Sequence, residues 1–175
     1  MNLPKTYEWL AKEPGPKMLL ESLKLYGTSE IVGKDHNPVI LAWAKDLGLE
    51  KVYVADEIPW CGLVMAYICK MAGKEPQADP LWALNWSKWG VPVKEPMLGD
   101  ILTFKRPAGG HVCLYVGEDP KAYHVLGGNQ GNAHSITRIA KERMYAARRP
   151  EYINQPENVR KVFLSASGNI STNES

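Results

Sequence analysis

The segment Pro-Trp-Cys-Gly at residues 59–62 places a cysteine at the start of a long apolar stretch. Apolar residues then recur at positions 61, 64, 65, 68, 69 and 72, the spacing of one buried helix face. Pro59 precedes the predicted helix and Gly73 follows it. Cys61 therefore falls in the first turn, where free N–H groups and the helix dipole favour a thiolate. This pattern predicts a nucleophilic thiol, and the alternative is a buried structural cysteine.

A base for this thiol is predicted at His111, which follows Gly109 and Gly110 and begins the apolar run 111–116. Such a run is typical of a β-strand. The two glycines leave space at the start of the strand for a substrate to approach closely. A thiol nucleophile needs a base, and the base needs an orienting group. The alternative is an ordinary histidine at an exposed strand end.

Three side chains downstream are candidates for the group that orients His111. Asn129 lies in the turn Gly-Gly-Asn-Gln at 127–130, where its amide oxygen could accept a hydrogen bond from the imidazole. Gln130 could do the same from the opposite side, and His124 lies on the strand that returns beside His111. We favour Asn129, then Gln130, then His124. Each has a simpler alternative, such as a turn residue that tolerates a positive φ for Asn129.

Helices dominate the first half of the chain and strands the second. Helical patterns cover 6–13, 16–26, 38–47, the Cys61 helix and 80–89, with Gly27, Gly48 and Gly90 as candidate ends. Apolar, β-rich runs cover 101–104, 111–116, 122–126, 133–139 and 144–149. This order predicts an α+β fold in which the N-terminal helices pack on a central antiparallel sheet.

Length and composition indicate one globular domain. The 175 residues include 45% hydrophobic and 23% charged side chains, and the net charge of +2 does not favour nucleic acid as a partner. We expect a catalytic domain at 1–150 and a polar, partly disordered extension at 151–175. Cys69 and Cys113 are expected in the core, and the absence of a Cys-x-x-Cys pair argues against a zinc site. We expect no signal peptide and no membrane span, and therefore synthesis as a soluble cytoplasmic chain.

The combined motifs resemble the papain-like cell-wall peptidases of the NlpC-type and CHAP (cysteine- and histidine-dependent amidohydrolase/peptidase) families. The likeness rests on Pro-Trp-Cys-Gly, on the strand motifs Gly-Asp-Ile-Leu-Thr-Phe and Gly-Gly-His-Val, and on Gly-Gly-Asn-Gln. It covers about residues 7–150 and is strongest with a phage-associated subgroup. Members usually carry a small polar residue after the cysteine, where this chain has Gly62, and CHAP enzymes often carry a glutamate where it has Gly127.

The resemblance implies a papain-like NlpC/CHAP fold with Cys61 as nucleophile, His111 as base and Asn129 as the third member. It implies a peptidoglycan hydrolase, an amidase or endopeptidase that cleaves a stem-peptide amide without metal or cofactor. Glu57 and Trp60 are expected to line the substrate or oxyanion region. A monomeric phage endolysin or injected lysin, acting on the wall or in the periplasm after release or injection, fits this interpretation. The main alternative is an inactive papain-like binding or structural component, and a protein-directed cysteine enzyme is less favoured.

Overall fold

The computed structural model describes residues 2–166, 168–172 and 174, and these form an α+β arrangement with a largely antiparallel sheet. The α+β prediction is therefore confirmed. The α-helices are α1 (Lys17–Lys24), α2 (Pro38–Asp46) and α3 (Cys61–Met71), and 3-10 helices cover Lys5–Lys12, Ala83–Lys88 and Lys141–Arg143. The strands are β1 (Val91–Pro92), β2 (Ile101–Arg106), β3 (Gly109–Glu118), β4 (Ala122–Gly127), β5 (Ser135–Ala140), β6 (Met144–Arg149) and β7 (Ile170–Ser171).

The strand that carries His111 lies at the centre of the sheet. Among the described residues the strand order is β1-β6-β2-β3-β4-β5-β7, and every pair is antiparallel except β5 with β7. Strands β1 and β7 have only two residues each, which is too short for a period-2 pattern to reveal. The five longer strands coincide with the five predicted runs to within two residues at each end.

Helix α3 packs on one face of β3 and fixes the position of Cys61. Nearly all of its side chains are buried, as expected of a helix that is apolar on every side. Val112 and Leu114 of β3 share a buried cluster with α3 and with Trp43 of α2. Burial of these large apolar surfaces is the main force that holds the helix start beside the sheet.

The opposite face of the sheet has its own apolar cluster, which includes Phe104, Cys113, Tyr115 and Val125. Consecutive residues of β3 from His111 to Glu118 are consequently all buried. A strand buried on both faces reads as a continuous apolar run rather than an alternating one. This explains why the motif around His111 lacks the alternation of a surface strand.

The predicted extension from residue 151 returns along the domain. Leu164 donates its backbone N–H to the carbonyl of Glu118 at 2.8 Å, and Arg160 forms an ion pair with Glu13. Farther on, β7 pairs with β5, and Glu174 is fully buried. The predicted disorder of 165–175 also covers residues 167, 173 and 175, which lie outside the described residues.

Across the described part of the chain, every helix is too short or too polar to cross a membrane.

Candidate active site

Cys61 is the first residue of α3, and the loop before it is held from across the molecule. The backbone N–H of Trp60 donates to Oδ1 of Asn129 at 2.7 Å, and the carbonyl of Trp60 accepts the N–H of Val64 at 2.9 Å. Both backbone groups of Trp60, the residue before Cys61, are thus hydrogen-bonded. Only 3% of Cys61 is exposed.

Burial raises the pKa of the Cys61 thiol above its ordinary value. Hydrogen bonds from the backbone N–H groups of Val112, Gly62 and Cys61, together with the charge of Arg106, act in the opposite direction and only partly offset this effect. The prediction of a lowered thiol pKa is therefore wrong for this structure, in which Cys61 is buried. The helix start does stabilise a thiolate, but removal from water outweighs it.

The backbone N–H of Val112, the residue after His111 on β3, is among the groups that favour the thiolate of Cys61, so the start of α3 faces this part of β3. Pairing between β3 and β4 covers β3 only from Leu114 onward, where Leu114 is opposite Leu126. Val112 is therefore not paired with β4. Packing of α3 on β3 brings Cys61 beside the strand that carries His111, fifty positions farther along the sequence.

Gln130 sets the tautomer of His111. Its amide nitrogen donates to the carbonyls of Val125 and Ser135, so the amide oxygen must face the imidazole. The distance from this Oε1 to Nε2 of His111 is 3.0 Å. Because the oxygen can only accept, Nε2 of His111 carries the proton and Nδ1 carries the lone pair. Nδ1 is buried without a hydrogen-bond partner among the described residues, and it is therefore free to act as a base.

Burial lowers the pKa of His111 to about 4. The hydrogen bond with Gln130 and the negative charge of Glu174 oppose this shift, whereas the charges of Arg106 and Arg143 add to it. With the thiol pKa raised and the imidazole pKa lowered, both groups are neutral near pH 7. The arrangement is a buried, uncharged thiol and imidazole rather than a preformed ion pair.

Asn129 does not contact His111 in this structure, and the order of the candidates is corrected. Its side chain accepts from Trp60, and its backbone has a φ of 61°. Neighbouring residues in a tight turn direct their side chains differently, so Gln130 reaches the imidazole and Asn129 reaches the helix start. Asn129 thus holds the loop before Cys61, while Gln130 orients the imidazole of His111.

His124, the third candidate, belongs to a separate buried network. Its Nε2 lies 2.8 Å from Asp119, and its Nδ1 lies 2.7 Å from the hydroxyl of Tyr7. Arg138 forms an ion pair with the same aspartate. Both ring nitrogens of His124 are thus engaged away from His111, and this candidate is corrected to a structural role.

Trp60 is a core residue rather than a substrate wall. It is fully buried, lies against Trp43 with a ring separation of 6.0 Å, and donates its indole N–H to Glu30 at 3.2 Å. Glu57 is exposed in the turn before α3. Its neighbour Asp56 accepts three hydrogen bonds that stabilise the preceding loop, from the backbone of Ile31 and Asn37 and from His36.

The site is covered, whereas the sequence predicts an accessible groove. A Cβ on Gly62 would lie 2.3 Å from the carbonyl oxygen of Pro80, so the loop at 80–82 packs directly on the helix start. A Cβ on Gly110 would lie 2.5 Å from the side chain of Leu84. These contacts explain why glycine, rather than a small polar residue, follows the cysteine.

Sequence reasoning missed Arg143 and Glu174. The guanidinium of Arg143 donates to both carboxylate oxygens of Glu174, at 2.7 and 2.8 Å. Glu174 raises the pKa of His111 and Arg143 lowers it. In the sequence, Arg143 belongs to a stretch rich in basic residues and Glu174 to the polar extension. Nothing in the sequence indicates that Arg143 and Glu174 affect the pKa of His111.

A surface cavity of about 730 Å³ lies away from these residues and is lined by Lys74, Trp89 and Tyr152, among others. A pocket far from the thiol and imidazole carries no argument about their chemistry. Within the described part of the chain, no group of three or more His, Cys, Asp or Glu side chains could hold a metal ion.

No protein-family model matches the chain, and no curated protein matches it significantly. The case for its function therefore rests on the motifs and on the geometry described above.

Proposed function

We propose that this protein is a cysteine hydrolase with a papain-like NlpC/CHAP fold that cleaves an amide bond in the stem peptides of bacterial peptidoglycan. Cys61 is the nucleophile, His111 the general base and acid, and Gln130 the residue that orients His111. One arrangement carries the proposal. A cysteine at a helix start faces the backbone N–H of Val112, next to a histidine whose Nε2–H is held and whose Nδ1 has no hydrogen-bond partner among the described residues. The motifs shared with the cell-wall peptidases support peptidoglycan as the substrate.

The reaction requires a proton to move from the thiol to Nδ1 of His111 as the substrate enters. The thiolate then attacks the amide carbonyl carbon, and a bond forms between sulfur and carbon. Backbone N–H groups at the helix start stabilise the negative charge on the carbonyl oxygen. His111 gives its proton to the departing amine, and the C–N bond breaks. Water, deprotonated by the same imidazole, then releases the acid product from the thioester.

Replacement of Cys61 by alanine tests this proposal. Purified muropeptides would be incubated with the wild-type protein and the variant, and the products would be identified by mass spectrometry. We expect Cys61→Ala to reduce the rate by about 10⁴-fold or more. The mass of the products also locates the cleaved bond.

Cys69→Ala is the matched control. Cys69 lies two turns farther along α3, is fully buried, and donates to the carbonyl of Glu75 at 3.5 Å. This substitution removes a buried thiol from the same helix and should leave the rate nearly unchanged. If both variants retain wild-type cleavage, or if the wild-type protein leaves muropeptides intact, the enzymatic proposal fails. A wall-binding protein without activity, the second candidate, would then be favoured if Cys61→Ala still binds peptidoglycan.

A further inference from the structure

The negative charge of Glu174 raises the pKa of His111, so its carboxylate lies within electrostatic range of the imidazole. The pairing of three strands connects the two residues. His111 of β3 is opposite Phe104 of β2, and Phe104 is paired with Met144 of β6. Arg143 directly precedes Met144 and holds Glu174 through two hydrogen bonds. The negative charge of Glu174 raises the pKa of both His111 and Cys113.

Glu174 is 0% exposed, which is unusual for a carboxylate. A buried carboxylate is stable only when charged or polar partners compensate for the loss of water. Arg143 provides the planar, two-donor geometry that matches a carboxylate. The same geometry would fit the carboxylate of another molecule equally well.

The segment that carries Glu174, described at residues 168–172 and 174, contacts the domain through β7 and through hydrogen bonds from two arginines. Its strand β7 has two residues, and residues 168, 169 and 172 are exposed. Arg138 and Arg143 donate to the carbonyls of Gly168 and Ser171. Short, partly exposed elements open at a lower free-energy cost than core strands, so we expect this segment to open before the domain unfolds.

Departure of Glu174 would leave a positive region near His111. Arg106 lies opposite Gly109 at the end of β2, and its charge lowers the pKa of both Cys61 and His111. Arg143, whose charge also lowers the pKa of His111, would lose the carboxylate that neutralises it. Two guanidinium groups without a carboxylate between them favour an anionic ligand.

We propose that Arg143 forms a subsite for a free carboxylate of the substrate, and that Glu174 occupies this subsite until the substrate displaces it. This inference rests on the proposed function, because a stem peptide carries free carboxylates near the amides that a hydrolase would cut. The segment at 168–172 and 174 is then an intramolecular competitor of the substrate for Arg143.

Alkylation of Cys61 tests the subsite without any cell-wall substrate. Iodoacetate and iodoacetamide have nearly the same size, but only iodoacetate carries a carboxylate. In both cases a sulfur–carbon bond forms and iodide leaves. The full-length chain would be treated with each reagent, and modification of Cys61 would be followed by peptide mass spectrometry.

Glu174→Gln should raise the rate with iodoacetate by about fivefold or more relative to the rate with iodoacetamide. Adding Arg143→Gln should abolish this preference. Glu142→Gln, an exposed acid beside Arg143, and Arg160→Gln, which breaks the remote pair with Glu13, are charge-matched controls and should change nothing. Thermal unfolding of each variant shows whether the fold is kept.

With muropeptides, Glu174→Gln should lower KM for substrates with free carboxylates, whereas amidated substrates should show no such change. An equal effect of Glu174→Gln on both reagents, or a preference that survives Arg143→Gln, would show that the ion pair is only structural. Carboxylate preference at Cys61 without muropeptide cleavage would retain the subsite and reject the proposed function. Cleavage by Cys61 without carboxylate preference would retain the proposed function and reject the subsite.

Discussion

Gln130 links the chemistry of His111 to the backbone of the sheet. Its two amide hydrogens bind the carbonyls of Val125 and Ser135, and its oxygen accepts from His111. A carboxylate at this position could accept from the histidine, but it would also face two carbonyl oxygens. An amide is therefore the side chain whose donors and acceptor match all three partners.

Replacing Gln130 by alanine should lower kcat by about 10²-fold, with a smaller effect on KM. The substitution frees Nε2 of His111 and removes the preference for the tautomer in which Nδ1 is the base. Steady-state kinetics measure the effect, and nitrogen NMR of His111 reports the tautomer directly.

Asn129→Gly is the informative comparison, since glycine accepts the φ of 61° and only the acceptor for Trp60 is lost. We expect this variant to lose stability while the His111 tautomer is unchanged. A tautomer shift in Asn129→Gly but not in Gln130→Ala would restore Asn129 as the orienting residue.

The turn at 127–130 acts as one element that joins helix α3 to the sheet. A Cβ on Gly127 would lie 2.7 Å from Cβ of Cys113, and one on Gly128 would lie 2.6 Å from the ring of Trp60. The two glycines thus allow close approach to the sheet and to the helix start. Asn129 and Gln130 then reach the two sides of the site.

Gly128→Ala should destabilise the protein by about 3 kcal/mol, because the added methyl group overlaps Trp60 and Val64 in a packed core. Urea unfolding monitored by tryptophan fluorescence measures this change. Gly131→Ala, in the same turn, adds a methyl group to open space at a φ of 62°. It should cost only about 1 to 2 kcal/mol through backbone strain. Equal costs for the two variants would mean that close packing at Gly128 is unimportant.

On the scale of the whole molecule, histidines buried in their neutral form make the fold sensitive to acid. His134 is fully buried, with Nε2 at 2.9 Å from the hydroxyl of Ser22, and burial lowers its pKa to about 4. The pKa of His111 is lowered to about 4 for the same main reason. The unfolded chain takes up these protons near pH 6.5, so stability falls as the pH drops from there toward 4.

We expect each of these two histidines to remove about 2 kcal/mol of the free energy of unfolding between pH 7 and pH 5. Urea titrations at several pH values measure this loss. His134→Gln keeps a donor for Ser22 but cannot titrate, so its stability should depend less on pH than that of the wild-type protein. An identical pH profile for the two proteins would contradict a neutral, buried His134.

The sequence by itself determined the α+β order, the helix that begins at Cys61 and the strand that contains His111. These features depend on local apolar periodicity and on glycine and proline positions, which neighbouring residues already encode. The choice of Gln130 over Asn129 depended on the direction of two adjacent side chains in a turn, which no periodicity encodes.

Only the tertiary structure decided the pKa directions at Cys61 and His111, the core position of Trp60 and the place of Glu174. Burial and electrostatic environment arise from segments that are distant in sequence. Glu174 lies 63 positions from His111 and reaches it through sheet register and an arginine on a third element. The candidate residues Cys61 and His111 were therefore readable from the chain, whereas their protonation states and their neighbours were set by packing.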